Sequence, residues 1–197
     1  MNDRKLPIGI QSFEKLIVNH NLYVDKTEYI YRLVQTNVPY FLSRPRRFGK
    51  SLLLSTIKAY WEGRRELFEG LRIEALENNN PDAWLDYPVF YLDFNRADFS
   101  EKGVLEAIIE VQLGEWEKEY GETPKEAPLG ARFGLLLKAA AEKTGRKCVV
   151  LVDEYDKPLL ETMNSLELIE HNKAVFKGFF SALKVRMRVS GLFLLPV

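Results

Sequence analysis

The stretch Val38-Pro39-Tyr40-Phe41-Leu42-Ser43-Arg44-Pro45-Arg46-Arg47-Phe48-Gly49-Lys50-Ser51 joins a short apolar run to a basic turn that contains one glycine. The apolar and aromatic residues at 38–43 are typical of a buried parallel strand. The apolar residues of 50–62 repeat with helical spacing, which predicts a helix that Gly63 ends. The stretch therefore predicts a strand, a loop and a helix in succession.

This order is the setting of a P-loop, which holds nucleotide phosphates on backbone N–H groups at the start of a helix. Gly49 lets the backbone approach a phosphate closely, Lys50 carries the charge that reaches the β- and γ-phosphates, and Ser51 offers a hydroxyl to Mg²⁺. Lys50 is therefore a predicted catalytic residue as well as a binding residue. We expect Phe48 and Leu52, which flank these three residues, to belong to the same nucleotide site.

The loop departs from the pattern G-x-x-x-x-G-K-[ST], because Arg44 stands where the first glycine is expected. Arg46 and Arg47 occupy positions of the loop that usually hold small, flexible residues. We expect their guanidinium groups to bind the nucleotide in place of some backbone contacts. A bare Gly-Lys-Ser tripeptide also fits a solvated basic turn that opens a helix, so a second feature has to decide between the two.

The second feature is an acidic pair that follows an apolar run. Residues 147–152 predict a buried strand, and Asp153 and Glu154 stand at its carboxyl end, where open α/β sheets bind ligands. Asp153 and Ser51 are the residues predicted to bind Mg²⁺, and Glu154 is the predicted base that polarises the attacking water. The alternative is a solvated loop in which Lys157 is the partner of the two acids.

Two more strands are predicted at 88–94 and 189–195, and helical spacing fills most of the chain between strands, including two separate helices at 159–171 and 173–187. Asp93 ends the first of these strands much as Asp153 ends its own, although a turn or cap role fits it equally well. Strands that alternate with helices predict parallel pairing through right-handed crossovers. The expected fold class is α/β.

The domain expectation follows from this order and from the length of 197 residues, which favours one core. We expect a single P-loop domain over 1–197, with a helical lead-in at 1–37 and the P-loop core at 38–197. The specific expectation is a three-layer P-loop NTPase-like fold with a mostly parallel sheet that is truncated at its C-terminus.

Composition narrows the functional classes. Apolar residues make up 46% of the chain, and 28 basic residues balance 28 acidic ones, so the whole chain lacks the field of a non-specific nucleic-acid binder. No apolar run reaches the roughly 20 residues of a membrane helix, and the first seven residues do not resemble a secretory signal. A cytoplasmic protein that does not act in the membrane is expected, with Cys148 as a buried apolar residue.

Four blocks together resemble a family of bacterial and archaeal P-loop proteins that have an AAA-ATPase-like domain, often followed by a PD-(D/E)XK nuclease-like domain. The blocks are Leu6-Pro7-Ile8-Gly9-Ile10 with Ser12-Phe13, Tyr23-Val24-Asp25-Lys26-Thr27, residues 43–51, and Val152-Asp153-Glu154-Tyr155-Asp156-Lys157-Pro158. The resemblance implies ATP as the nucleotide. It also implies that an arginine in place of the first glycine, here Arg44, is usual in this family. It also implies that the segment 23–27 lies near the nucleotide, while the residues themselves fit equally well a helix entry with Asp25 or Thr27 as the N-cap.

The end of the sequence departs from that family. The last apolar run ends in Leu194-Leu195-Pro196-Val197, whereas the family continues through Thr-Gly into more sheet, and no residue that senses the γ-phosphate is assigned. No nuclease motif is found, so a nucleic-acid partner is expected only through a domain that this chain lacks. Related ATPases often complete their sites with an arginine of a neighbouring copy, which leaves a homo-oligomer open.

Three functional hypotheses follow. The first is Mg²⁺-dependent ATP hydrolysis coupled to a conformational switch, and the second is a nucleotide-gated interaction module with little turnover. The third is nucleic-acid binding through the arginines of 44–47 and Lys50, against which stands the simpler expectation that these side chains hold the nucleotide itself.

Overall fold

The computed structural model describes residues 5–35, 40–42, 48–95, 97–185 and 194–196. Its four strands form two parallel pairs, β1 with β4 and β2 with β3, and β4 also contacts β3. The spatial order of these strands is therefore β1, β4, β3, β2. Their bounds are Tyr40–Leu42 for β1, Val89–Asp93 for β2, Val149–Asp153 for β3 and Leu194–Pro196 for β4. The predicted α/β class with parallel pairing is confirmed.

Helices connect the strands and begin and end close to the predicted positions. Ser12 begins the first helix by accepting a hydrogen bond from the backbone N–H of Lys15 at 3.3 Å, and Gly145 ends the sixth in a left-handed conformation. The helices are α1 Phe13–Val18, α2 Thr27–Val34, α3 Lys50–Trp61, α4 Arg72–Leu76, α5 Val104–Tyr120, α6 Leu129–Thr144, α7 Lys157–Leu160 and α8 Leu166–Val185, with a 3₁₀ helix at Arg65–Phe68.

Strand β3 lies at the centre of the packing, because every one of its residues is buried. Val150 and Val152 pack with α5, α6 and α8, while Val149 and Leu151 pack on the other side with residues of α1 to α4. Helices thus cover both faces of the β2–β3 pair. A strand buried on both faces is apolar throughout rather than alternating, which is the pattern at 148–152.

The N-terminal lead-in shares a core with α3. Phe13 and Ile30 belong to the same buried cluster as Leu54 and Ile57. The backbone N–H of Phe13 also donates a hydrogen bond to the Ser55 hydroxyl at 2.8 Å. These contacts place α1 directly against the helix that follows the predicted phosphate loop.

One prediction about the helices is wrong. The chain does not break between 171 and 173; instead it turns at 161–165, and α8 runs without interruption through Asn172. The Asn172 side chain is buried and donates a hydrogen bond to the Pro158 carbonyl oxygen at 2.9 Å. An asparagine that resembles a helix breaker in the sequence is therefore held inside α8 by a tertiary contact. The 3₁₀ helix and α4 were not anticipated.

Candidate functional site

Ser51 and Asp153, which lie far apart in the sequence, meet at the carboxyl edge of the sheet. Asp153 is the last residue of β3 and only 4% exposed, and Ser51 is the second residue of α3. The Ser51 hydroxyl donates a hydrogen bond to the Asp153 carboxylate. Two further donors bind this carboxylate, the Tyr91 hydroxyl to Oδ2 and the Glu154 backbone N–H to Oδ1, each at 3.0 Å.

The electrostatic environment of Asp153 disfavours its charged form. Burial raises the pKa of the Asp153 carboxyl above its usual value, and the charge of Asp93, which stands opposite it in the β2–β3 register, adds to the effect. The hydrogen bonds from Ser51, Tyr91 and Glu154 lower the pKa but do not cancel the increase. A nearby cation would therefore stabilise the charged form of the Asp153 carboxylate.

Gly49 and Lys50 form the start of α3. Gly49 has φ 72° and ψ 27°, a left-handed conformation that glycine adopts without a steric penalty. It has no side chain to cap the helix, so the first N–H groups of this 12-residue helix depend on other partners, which is the arrangement that suits an anion. Lys50, the first helical residue, is 6% exposed.

A cavity of about 680 Å³ opens beside the start of α3. Phe48, 65% exposed, lines it together with Gly49 and Leu52. Most of the other lining residues are apolar or aromatic side chains of the lead-in and of α2, and among the described lining residues none carries a carboxylate. A largely apolar concavity with a few polar groups is the usual form of a small-molecule site.

The segment 23–27 divides between two roles. Asp25 accepts hydrogen bonds from the Thr27 backbone N–H and hydroxyl at 2.9 and 2.7 Å and from the Arg72 backbone N–H at 2.8 Å. These bonds close the turn into α2 and join it to α4, so both residues serve the helix entry. The predicted N-cap is wrong, because Lys26 and not Asp25 or Thr27 is the N-cap of α2. Tyr23 and Lys26 instead line the cavity. Burial raises the pKa of the Tyr23 hydroxyl, which hydrogen-bonds Thr56, to about 12, so it stays protonated at neutral pH.

Glu154 follows Asp153 with an unusual backbone. Its φ is +52°, which is uncommon for a residue with a long side chain and marks local strain. The solvated-loop alternative for the acidic pair is wrong for Asp153, which is buried. It is also wrong for Lys157, whose Nζ binds the carbonyl oxygens of Asn95 and Ala97 at 2.9 Å each.

Asp93 has the turn role that the sequence left open, because its Oδ1 accepts a hydrogen bond from the Asn95 backbone N–H at 2.9 Å. Arg44, Arg46 and Arg47 lie outside the described residues. Sequence reasoning missed Tyr91, whose contact with Asp153 depends on the register of β2 and β3. Its only signal is its place two residues before the acid that ends a strand.

The chain is similar to known proteins along nearly its whole length. The family model described as "Predicted AAA-ATPase" matches residues 7–195. An Azotobacter chroococcum mcd 1 protein, described as "Uncharacterized protein in vnfD 5'region", is 36% identical over 188 residues, which cover 93% of this chain and 35% of that protein. The chain thus spans about a third of the length of this curated relative. No solved structure matches. None of the helices in the described ranges combines the length and apolarity needed to cross a bilayer.

Proposed function

This chain belongs to the family described as "Predicted AAA-ATPase", and on that premise we propose that it is a P-loop domain that binds and hydrolyses ATP with Mg²⁺ and couples hydrolysis to a conformational switch. The observation that carries the proposal is the hydrogen bond between Ser51 and Asp153, directly after the glycine and lysine that begin α3. It joins a hydroxyl suited to Mg²⁺ and a carboxylate suited to the same ion.

The fold that we assign to this function is the three-layer P-loop fold. In its support, the β2–β3 pair has helices on both faces, and each strand runs parallel to its partner. Asp153 ends β3 at its carboxyl end, which is where open α/β sheets bind ligands.

The phosphates are assigned to the start of α3. Lys50 supplies the positive charge, and the backbone N–H groups of the first helical turn supply the donors and the favourable end of the helix dipole. Arg46 and Arg47 are proposed to add guanidinium contacts from the loop before Phe48. The left-handed Gly49 turns the chain from that loop into the helix.

Ser51 and Asp153 fit a magnesium ion. Mg²⁺ usually keeps several waters and takes one or two protein oxygens together with phosphate oxygens, so this pair is sufficient. The buried Asp153, whose pKa is raised, is stabilised in its charged form by a divalent cation. When bound, the ion neutralises charge on the β- and γ-phosphate oxygens.

Glu154 is the proposed base. A water oxygen attacks the γ-phosphorus as the bond to the β,γ-bridging oxygen breaks, giving ADP and phosphate, and Glu154 accepts the proton of that water. The strained backbone of Glu154 supports this role, because conformational strain in proteins is concentrated at functional sites.

The 680 Å³ cavity is the proposed site of the base and ribose. Phe48 and Tyr29 present exposed rings at its lining, where they can stack on a base. Lys26 and Arg32 are cations that also line it and that suit an anionic ligand. The cavity and the phosphate site share Gly49, so one nucleotide can occupy both.

Binding is tested by thermal or chemical unfolding with and without Mg-ATP. At about 100 times its Kd, Mg-ATP should stabilise the wild-type protein by about 2.7 kcal/mol, and Lys50→Ala should remove most of this gain. Lys58→Ala is the matched control, since Lys58 lies on the same helix but forms a surface pair with Glu62 and should keep the full gain. A wild-type unfolding curve that Mg-ATP does not shift would contradict the proposed function.

Turnover is tested with Glu154→Gln. This variant should bind Mg-ATP like the wild type, but its rate of ATP hydrolysis should be lower by a factor of at least about 100, because a general base contributes at least that factor. Glu167→Gln, a change at an exposed glutamate of α8 that pairs with Lys102, should leave the rate unchanged. If Glu154→Gln keeps the wild-type rate while binding is intact, the catalytic assignment fails. A wild type that binds but scarcely hydrolyses would favour the nucleotide-gated interaction module.

A further inference from the structure

The Tyr91 side chain reaches the proposed magnesium site from the neighbouring strand. Tyr91 stands opposite Leu151 in the parallel register, and Asp153 lies two residues further along β3. Because side chains two residues apart share a face of the sheet, the long tyrosine ring can lean diagonally across the pair to Asp153. Its hydroxyl donates to Asp153 Oδ2 at 3.0 Å.

The contact constrains the orientation of the carboxylate. Oδ1 accepts the Glu154 backbone N–H while Oδ2 accepts the Tyr91 hydroxyl, so a donor holds each oxygen. The Ser51 hydroxyl reaches the same carboxylate from α3. With both oxygens held, rotation of the carboxylate would break at least one partly buried hydrogen bond of the buried Asp153, and an unsatisfied buried group is costly.

We propose that Tyr91 is a positioning residue of the magnesium site, which holds the Asp153 carboxylate in the orientation that supports Mg²⁺ beside Ser51. The inference rests on the proposed function and adds to it a residue from β2, a strand that carries none of the predicted site residues. In this role Tyr91 acts through Asp153, whose Oδ2 its hydroxyl binds. Partners that orient a metal ligand in this way commonly change metal affinity 10- to 100-fold when they are removed.

A purely structural hydroxyl would behave differently. Tyr91 is half-buried and packs against the same apolar cluster as α3, so its ring also contributes to folding. Tyr91→Phe retains that ring and removes only the hydroxyl. A structural role would lower the stability of the protein without changing the Mg²⁺ dependence of nucleotide binding.

The experiment measures ATP binding as a function of Mg²⁺ concentration, and also in EDTA, for the wild type and Tyr91→Phe. The Mg²⁺ concentration at half-saturation should rise about tenfold or more in the variant, while ATP binding in EDTA stays at the wild-type level. Tyr87→Phe is the matched control. It removes a tyrosine hydroxyl oxygen from the same apolar cluster, four residues before Tyr91. At about 3.3 Å per residue the two positions are roughly 13 Å apart, so this variant should behave as the wild type.

A second comparison tests whether Tyr91 acts through Asp153. In an Asp153→Asn background, adding Tyr91→Phe should produce no further change in Mg²⁺ dependence. The reason is that the effects of substitutions at two residues in direct contact are not additive when one residue acts through the other. Wild-type Mg²⁺ dependence in Tyr91→Phe, or full additivity with Asp153→Asn, overturns the inference and leaves the proposed function intact. A wild-type protein without Mg²⁺-dependent ATP binding overturns both.

Discussion

At the scale of single residues, Gly49 shows how conformation and function can be separated. Its positive φ favours glycine, yet a Cβ added there would meet no atom of the described residues within 4 Å. The restriction on this position is therefore the backbone conformation and not the packing of the protein. The open space over Gly49 is where the proposed phosphate site lies.

Gly49→Ala should accordingly have a small effect on stability and a large effect on binding. We expect the free energy of unfolding to fall by about 1 kcal/mol, the usual penalty for an alanine in the left-handed region. Mg-ATP should no longer stabilise the variant, because the methyl group occupies the space needed by the phosphates. Both quantities come from denaturation curves with and without Mg-ATP.

Gly145→Ala is the matched control for this change. Gly145 has φ 68°, and an added Cβ would likewise meet no atom within 4 Å in the described part of the chain, but Gly145 precedes β3, at the opposite end of the strand from Asp153. Its replacement should cost the same stability and leave Mg-ATP binding unchanged. If both variants bind Mg-ATP equally well, Gly49 does not border the phosphate site.

At the scale of elements, a buried ion network joins α5 to α6. Arg132 on α6, 1% exposed in its side chain, donates to Glu117 at 2.8 Å, to Glu110 at 2.6 Å and to the Thr123 hydroxyl at 2.9 Å. Burial works against the Glu117 carboxylate. Hydrogen bonds from Lys125, Thr123 and Arg132 outweigh it and lower the pKa of Glu117 to about 2.

Loss of the arginine should therefore destabilise the protein in a pH-dependent way. Arg132→Met removes the buried cation of this network and leaves Glu117 with the more exposed Lys125 alone, and we expect a loss of about 3–5 kcal/mol at pH 7. Since the folded pKa of Glu117 lies below its ordinary value of 4.5, its contribution is complete above pH 4.5 and is lost as the pH falls towards 2. The difference between the two proteins should shrink over that range in urea denaturation.

An exposed arginine offers the control for this network. Arg72 forms a surface pair with Glu28 at 2.9 Å, so Arg72→Met should cost at most about 1 kcal/mol. A difference between wild type and Arg132→Met that stays constant from pH 7 to pH 2 would show that packing, and not charge, holds α5 and α6 together.

The elements themselves were largely predictable. The apolar run before Asp153 and the helical spacing after Gly49 are local patterns, and both produce the expected strand and helix. The interior of α8 was not predictable, because Asn172 resembles a helix end until its bond to Pro158 is known. Local sequence contains no information about such a distant partner.

At the scale of the whole molecule, the arrangement of the sheet brings the candidate site together. Helices on both faces bury β3 completely, and α3 packs against this strand. Asp153 consequently ends a buried strand beside the start of α3. The relative from Azotobacter is about three times as long as this chain, so most of its length lies outside the match.

The sequence by itself determined the α/β class, the family, and the glycine, lysine, serine and acidic pair as candidates, because each of these depends on residue type and near-neighbour spacing. Only the tertiary structure decided that Ser51 touches Asp153, that Tyr91 holds the same carboxylate, and that Asp25 and Thr27 serve the turn into α2 while Tyr23 and Lys26 line the cavity. The physical reason is that such contacts depend on strand register and helix packing, which arise from the burial of both faces of the sheet at once.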